Sequence, residues 1–371
     1  MFASLSETIS DRLNLNSDQN QRSRVTDPVA VLNRPHPPES ATWHDALSAA
    51  TRDSDVLLRR LNLPPDLLQS AREAAAQFPV MVPESYLRRI KPGDPRDPLL
   101  LQVLPLKSET DEVPGFVDDA VNDLGSRTAP GLLHKYHGRA LMIMTGACAI
   151  HCRYCFRRHY PYSDEPKTLA QWTPAIQAIA ADTSIHEVLL SGGDPLMLKD
   201  QRLQEFIQML SAIPHLRRLR IHSRLPIVLP DRVTDRLVKV LTSSRLTPFM
   251  VIHANHPHEL TGDCADSVRK LVRSGITTLN QAVLLRGIND TVEIQQELCE
   301  RLIDLGVIPY YLNQLDRVRG TAHFEVDDAT GIQIIAELRR RLPGYAVPQF
   351  VRDEPGWGHK RRLDSMASPS T

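Results

Sequence analysis

Cysteine is scarce in this chain, five in 371 residues, and three of the five fall within eight positions. A disulfide scaffold is therefore excluded, and a reducing, cytoplasmic setting is expected. Excess charge of either sign is also missing, with 44 Lys and Arg set against 44 Asp and Glu. Without a positive field, nucleic acid is not an expected partner. No apolar run reaches membrane-spanning length, and the start Met1-Phe2-Ala3-Ser4-Leu5-Ser6-Glu7 has no basic segment leading into an apolar one. Neither a membrane span nor an export signal is expected. What the chain does have is 42% hydrophobic residues over 371 positions, enough for a large buried core.

The clustered cysteines read Cys148-Ala149-Ile150-His151-Cys152-Arg153-Tyr154-Cys155. Thiolates are the usual ligands of iron–sulfur clusters, and three of them on a four-iron cluster leave one iron open to a small chelating molecule. A structural zinc site completed by His151 or His159 is the alternative, but structural zinc favours short cysteine pairs set apart by a loop. The spacing, with Tyr154 just before the last cysteine, resembles the signature of the radical S-adenosylmethionine superfamily. That likeness implies a 4Fe-4S cluster on Cys148, Cys152 and Cys155 and S-adenosyl-L-methionine on the open iron. Cys264 and Cys299 are read as ordinary thiols.

The first forty residues are polar and end in Arg34-Pro35-His36-Pro37-Pro38, which favours extended chain, so 1–40 is expected to be a flexible leader. From Trp43 to about Val82 apolar residues recur at helical spacing, giving an N-terminal helical region over 41–125 that is expected to cover the main domain. Over 126–345 short apolar strands alternate with amphipathic helices. The strands are expected at Ala140–Met144, Glu187–Leu190, Arg218–Ile221, Phe249–His253, Thr278–Val283 and Val307–Leu312. The helices are expected at Leu169–Ala181, Gln201–Ala212, Val233–Thr242, Asp266–Ser274, Val292–Leu305 and Ala329–Arg341. Six such units predict an α/β fold, a partial (β/α)6 TIM-like barrel whose site lies at the carboxyl ends of its strands. The cysteine run comes after the first strand, Ser191-Gly192-Gly193-Asp194-Pro195 after the second and Ser223-Arg224 after the third, as that rule requires.

A longer likeness runs from Lys135 to Lys360. It is carried by Lys135-Tyr136-His137-Gly138-Arg139, Cys155-Phe156-Arg157-Arg158, His253-Ala254-Asn255-His256-Pro257, Asn280-Gln281-Ala282-Val283-Leu284-Leu285-Arg286-Gly287 and Pro309-Tyr310-Tyr311, continuing to His323-Phe324. Together these stretches resemble the lysine 2,3-aminomutase family. The likeness implies a second cofactor, pyridoxal 5'-phosphate, on Lys360 in the C-terminal segment 346–371, with Tyr136 and Arg139 as further contacts. It also implies that Gly192, Gly193, Asp194, His253 and Gln281 meet S-adenosylmethionine. Trp357 and His359 depart from the family's small residues in the turn before that lysine, so the turn's backbone is expected to differ.

For the substrate, the same likeness implies that Arg157 takes the carboxylate of L-lysine and that Asp316 and Asp353 take its ε-ammonium. Carboxylates there would repel a glutamate side chain, which favours lysine. The implied reaction is conversion of L-α-lysine to β-lysine by radical 1,2-amino migration. The chain ends at Thr371 without a cysteine-bearing tail and so resembles the family's shorter branch, the elongation factor P β-lysylation proteins. In that branch β-lysine goes to elongation factor P through a separate lysyl ligase, and flavodoxin or ferredoxin is the expected reductant. The other readings are an aminomutase for glutamate or another amino acid, and a non-enzymatic iron–sulfur or zinc protein.

Overall fold

The computed structural model describes residues 42–364; the expected leader over 1–40 lies outside the described residues. Five short helices come first: α1 (Trp43–Ser48), α2 (Ser54–Arg60), α3 (Leu67–Gln77), α4 (Glu84–Leu87) and α5 (Pro98–Leu101). Side-chain caps start three of them, Thr42 on α1, Asp53 on α2 and Asp97 on α5, each accepting from backbone N–H groups that the first helical turn leaves unpaired. Leu57, Leu99 and Leu100 are fully buried in the same continuous core as the barrel residues Met142, Val188 and Ile221.

A single sheet of ten strands comes next, in simple sequence order. An antiparallel edge is built by β1 (Arg127–Ala129), β2 (Leu132–Tyr136) and β3 (Arg139–Ile143). His137-Gly138 turns β2 into β3, and the positive φ of Gly138, 75°, at the second central position is a left-handed conformation that favours glycine. From β3 the sheet is parallel through β4 (Glu187–Ser191), β5 (Arg218–Ser223), β6 (Thr247–Ile252), β7 (Thr277–Val283) and β8 (Ile308–Asn313).

These six strands are the expected ones to within two residues at either end. A seventh parallel strand, β9 (Gln349–Arg352), pairs with β8, and β10 (Arg361–Arg362) closes the far edge antiparallel. All six expected strand–helix units are present, and β9 adds a seventh parallel strand with no helix after it. With four residues, β9 is too short for its own pattern to show, and its pairing to β8 is set by packing. Gly331 makes room for it: a Cβ there would lie 2.3 Å from Phe350 Cζ. Phe350 is fully buried, worth roughly 1.5–3 kcal/mol of transfer free energy.

The connecting helices are α6 (Leu169–Ala181), α7 (Asp200–Ser211), α8 (Leu225–Val228), α9 (Asp235–Thr242), α10 (Gly262–Arg273), α11 (Val292–Asp304) and α12 (Asp328–Arg341). Helix α10 begins four residues before its expected start. Thr168, Thr234, Thr291 and Asp327 cap α6, α9, α11 and α12 through their side chains. Cys264 and Cys299 are buried in the helical layer. No helix among the described residues is long and apolar enough to cross a membrane.

Along β5 the burial alternates. Leu219, Ile221 and Ser223 are buried, while Arg218, Arg220 and His222 are only partly so. A parallel strand covered on both faces is ordinarily apolar on both. The polar residues on one face of β5 therefore mark a lumen that holds something other than packed side chains.

Candidate active site

The cysteine loop leaves the end of β3 and is held from behind by the N-terminal region. His151 N donates to Met81 O at 3.0 Å, and Arg153 N donates to Gln102 O at 2.9 Å. The Arg153 side chain is fully buried. It donates to Glu109 at 2.8 and 2.6 Å, and Arg158 donates to the same carboxylate at 2.9 Å. Both guanidiniums lie over the Phe78 ring. Opposite, Arg224 at the end of β5 donates to Cys152 Sγ at 2.7 Å and to Glu259 at 2.9 Å, while Asn255 donates to Tyr154 Oη at 2.7 Å.

Burial pushes the Cys155 thiol up to about 11, and burial together with the neighbouring Cys155, Asp194 and Cys152 raises Cys148 well above its ordinary range. Thiols crowded in this way call for a cationic partner, and three of them suit an iron–sulfur cluster. Among the described residues no three His, Cys, Asp or Glu side chains converge on a point for one ion. A cluster takes each cysteine on a different iron, so it needs no such point. The two histidines of the zinc alternative are engaged elsewhere, His151 Nδ1 with Pro79 O at 2.8 Å and His159 Nε2 with Arg319 O at 3.1 Å.

The turn after β4 packs directly on this loop. Gly193 N donates to Thr145 O at 2.6 Å and Asp194 N to Ala147 O at 2.8 Å. A Cβ on Gly193 would stand 2.4 Å from Ala147 O, so only glycine fits. The Asp194 carboxylate is turned inward, accepting from Ser223 Oγ at 2.8 and 3.0 Å and from Arg224 N at 2.8 Å. Burial still holds it up to about 6. The part of this turn left free to meet a ligand is its backbone.

All fourteen residues singled out from the sequence line one cavity of about 380 Å³, which runs from the carboxyl ends of the strands down the barrel lumen to Arg139 at the start of β3. His253 is brought there by the end of β6, with Nε2 buried and unpartnered, and burial, then Arg224 and Arg157, lowers it to about 3. Gln281 arrives on β7 and makes no side-chain hydrogen bond among the described residues. Tyr136 Oη donates to Asp353 at 2.9 Å, Lys360 Nζ to the same carboxylate at 3.4 Å, and the Arg139 guanidinium lies 4.6 Å from the Tyr136 ring centroid. The bulky residues before Lys360 face outward: Trp357 is 47% exposed and packs edge-on against His359. They leave the inward path of Lys360 open.

Two charged groups complete the site, one of them passed over by sequence reasoning. That one, Asp123, lies between Lys135, at 2.6 Å, and Arg157, at 2.6 Å. Burial opposes its charge, but Arg157 and Lys135 outweigh that and keep its carboxyl below the ordinary range. Arg157 spends Nη1 on Ser191 Oγ at 2.8 Å, and its Nη2 makes no hydrogen bond among the described residues. The other, Asp316, has no side-chain partner among the described residues, and burial raises it to about 6, with Lys360 opposing and Asp353 adding to the shift. No local pattern signals Asp123. Its role comes from partners 12 and 34 positions away in the chain.

Residues 142–307 match the family model of the Radical SAM superfamily. Over 91% of its length the chain is 44% identical to L-lysine 2,3-aminomutase of Escherichia coli K12, covering 97% of that protein. It is 42% identical to the Haemophilus influenzae enzyme of the same name, over 87% of this chain and 95% of that one. The Clostridium subterminale enzyme is 38% identical over 74% of this chain and 66% of its own length. Membership of the superfamily implies a 4Fe-4S cluster and S-adenosylmethionine. The cysteine loop, the strand-end cavity and these extended identities together place the chain in the L-lysine 2,3-aminomutase family of radical SAM enzymes.

Proposed function

We propose that this chain converts L-lysine to β-lysine, moving the amino group from C2 to C3. The observation that carries the reading is the charge layout of the cavity. Lys135 and Arg157 face one carboxylate, Asp123, which leaves a positive excess beside the cluster loop. Asp316 and Asp353 face one ammonium, Lys360, which leaves a negative excess at the other end. An amino acid with a carboxylate at one end and an ammonium at the other is complementary to both, and glutamate is complementary to only one.

In this reading Cys148, Cys152 and Cys155 hold the cluster. Gly192, Gly193, Asp194, His253 and Gln281 form the S-adenosylmethionine wall, and Lys360, Tyr136 and Arg139 hold pyridoxal phosphate. When bound, the cluster and S-adenosylmethionine supply a carbon radical and pyridoxal phosphate supplies a π-system able to carry nitrogen between adjacent carbons. The protein's share is positioning. Arg157 Nη2 takes the substrate carboxylate, the Asp316–Asp353 pair fixes the ε-ammonium, and Leu141, Leu189 and Val283 line the remainder with apolar surface. A flavodoxin or ferredoxin as electron donor, a cytoplasmic location and delivery of β-lysine to elongation factor P by a lysyl ligase belong to the same proposal and rest on resemblance to the shorter branch.

The test is an anaerobic assay of cluster-reconstituted protein with S-adenosylmethionine, pyridoxal phosphate, a reductant and L-lysine, with β-lysine read by mass spectrometry. β-Lysine from wild type and none from Lys360→Ala is expected. Cleavage of S-adenosylmethionine with no β-lysine would refute the substrate assignment.

A further inference from the structure

A second cleft, of about 570 Å³, adjoins the substrate cavity at its acidic end and is lined by the start of α12 and by Val117 and Ala120. Leu315, Asp316 and Asp353 line both spaces, so these three residues are the wall between them, at the place where the ε-ammonium is held. The wall is not equally firm throughout. Asp353 is fixed by Tyr136 Oη, which donates at 2.9 Å, and by Lys360 Nζ at 3.4 Å. Asp316 has no side-chain hydrogen bond among the described residues, so its carboxylate is free to turn from one space toward the other. On the cleft side Gln314 is only 2% exposed. Its Nε2 donates to Val326 O at 2.5 Å, while its Oε1 is buried without a partner among the described residues. Buried polar side-chain atoms are nearly always paired, and what an amide oxygen lacks is an N–H donor.

The charges of the cleft select the sign of what enters it. Six carboxylates and three guanidiniums line it, and the guanidiniums are committed. Arg317 holds Glu325 at 2.7 Å, Arg352 holds Asp328, and Arg286 Nε donates to Glu325 O at 2.9 Å. Asp327 caps α12 by accepting from Thr330 N at 2.8 Å. The groups left open beside the wall are acceptors, Asp316 and Gln314 Oε1. Acceptors suit an ammonium, which carries three N–H donors, and repel a carboxylate.

We propose that the site also takes basic α-amino acids longer than lysine, with L-homolysine, one methylene longer, the first of them. The terminal ammonium stays paired with the Asp316 carboxylate, which turns with it into the cleft, and Gln314 Oε1 accepts from it there. This rests on the reading of Asp316 and Asp353 as the ammonium site. The wall then sets a minimum length for the substrate and no maximum. L-Ornithine, one methylene shorter, leaves its ammonium short of both carboxylates. The reaction at C2 and C3 is the same for the longer chain: the amino group moves from C2 to C3 and one hydrogen from C3 to C2, so no further reactant is needed.

The test is calorimetric titration of the reconstituted full-length protein with L-ornithine, L-lysine and L-homolysine, with the β-isomers read by mass spectrometry. In a closed pocket one added methylene costs about 10- to 200-fold; L-homolysine is expected instead to bind within about fivefold of L-lysine and to be isomerised. L-Ornithine is expected to bind at least about 30-fold more weakly. Nε-Acetyl-L-lysine, which is longer but uncharged, is expected not to bind. Val117, 51% exposed on the cleft, offers a way to fill that space from outside the substrate cavity. Val117→Trp should keep L-lysine affinity within about twofold and weaken L-homolysine about tenfold. L-Homolysine at least about tenfold weaker than L-lysine on the wild type, equal binding of Nε-acetyl-L-lysine, or a Val117→Trp protein that binds both amino acids as the wild type does overturns the open wall and leaves the lysine reading standing. A wild type that binds no L-lysine, or binds L-ornithine as well as L-lysine, overturns the ammonium-site reading, and the longer substrates fall with it.

Discussion

Replacing Asp316 by Asn should make the empty protein more stable and the enzyme worse. The Asp316 carboxyl is raised from 3.8 to about 6, first by burial and then by Asp353, against the pull of Lys360. The folded protein therefore binds this proton more tightly than the unfolded chain does. Between those two values stability falls as pH rises, and above about 6 the penalty is complete. Two pK units correspond to about 3 kcal/mol; because the carboxylate touches the cavity, we expect about 1–3 kcal/mol of added stability in Asp316→Asn at neutral pH. The difference should shrink toward zero near pH 4.

Lysine binding moves the opposite way. Losing one partner of a largely buried ammonium–carboxylate contact costs about 2–5 kcal/mol, so L-lysine should bind roughly 30- to 4000-fold more weakly. Wild-type affinity for L-lysine should also weaken as pH falls through about 6, while the variant stays flat over that range. Thermal melts and calorimetric titration with L-lysine at about pH 5 and about pH 7.5 measure both effects. A variant that melts lower than wild type at neutral pH, or that binds L-lysine as tightly, refutes the assignment of Asp316 as a strained carboxylate awaiting a cation.

Glu109→Ala should destabilise the protein by about 3–5 kcal/mol, because it leaves the guanidiniums of Arg153 and Arg158 buried without their shared anion. Melting temperature and iron content after reconstitution should fall together, and loss of stability with normal iron uptake would show that the contact does not hold the cysteine loop. Gly193→Ala forces a Cβ against Ala147 O and must shift the turn from the cysteine loop; on the order of a 100-fold loss of turnover is expected, with S-adenosylmethionine affinity as the second readout. Unchanged affinity and turnover would show that the close approach of these two loops does not matter to the site.

The sequence by itself determined what is local. Spacing alone places Cys148, Cys152 and Cys155 on one loop, because eight consecutive residues cannot separate far. Periodicity places α6 at Leu169–Ala181, and the alternation of strands and helices yields the barrel with its motifs at the strand ends. Lys360 was legible only through likeness, since a lysine near a basic C-terminus has no signature of its own. Tertiary structure decided the rest. The four residues of β9 become a strand only where β8 offers an edge and Gly331 admits Phe350. Asp123, Glu109 and Glu259 acquire meaning from cations contributed by other segments. Arg220 and His222 carried a faint signal, polar residues alternating within a parallel strand, but which face looks into the cavity depends on register, and register is fixed by pairing with β4 and β6. Burial, pairing and charge balance are properties of neighbours in space, and a linear chain states only its neighbours in order.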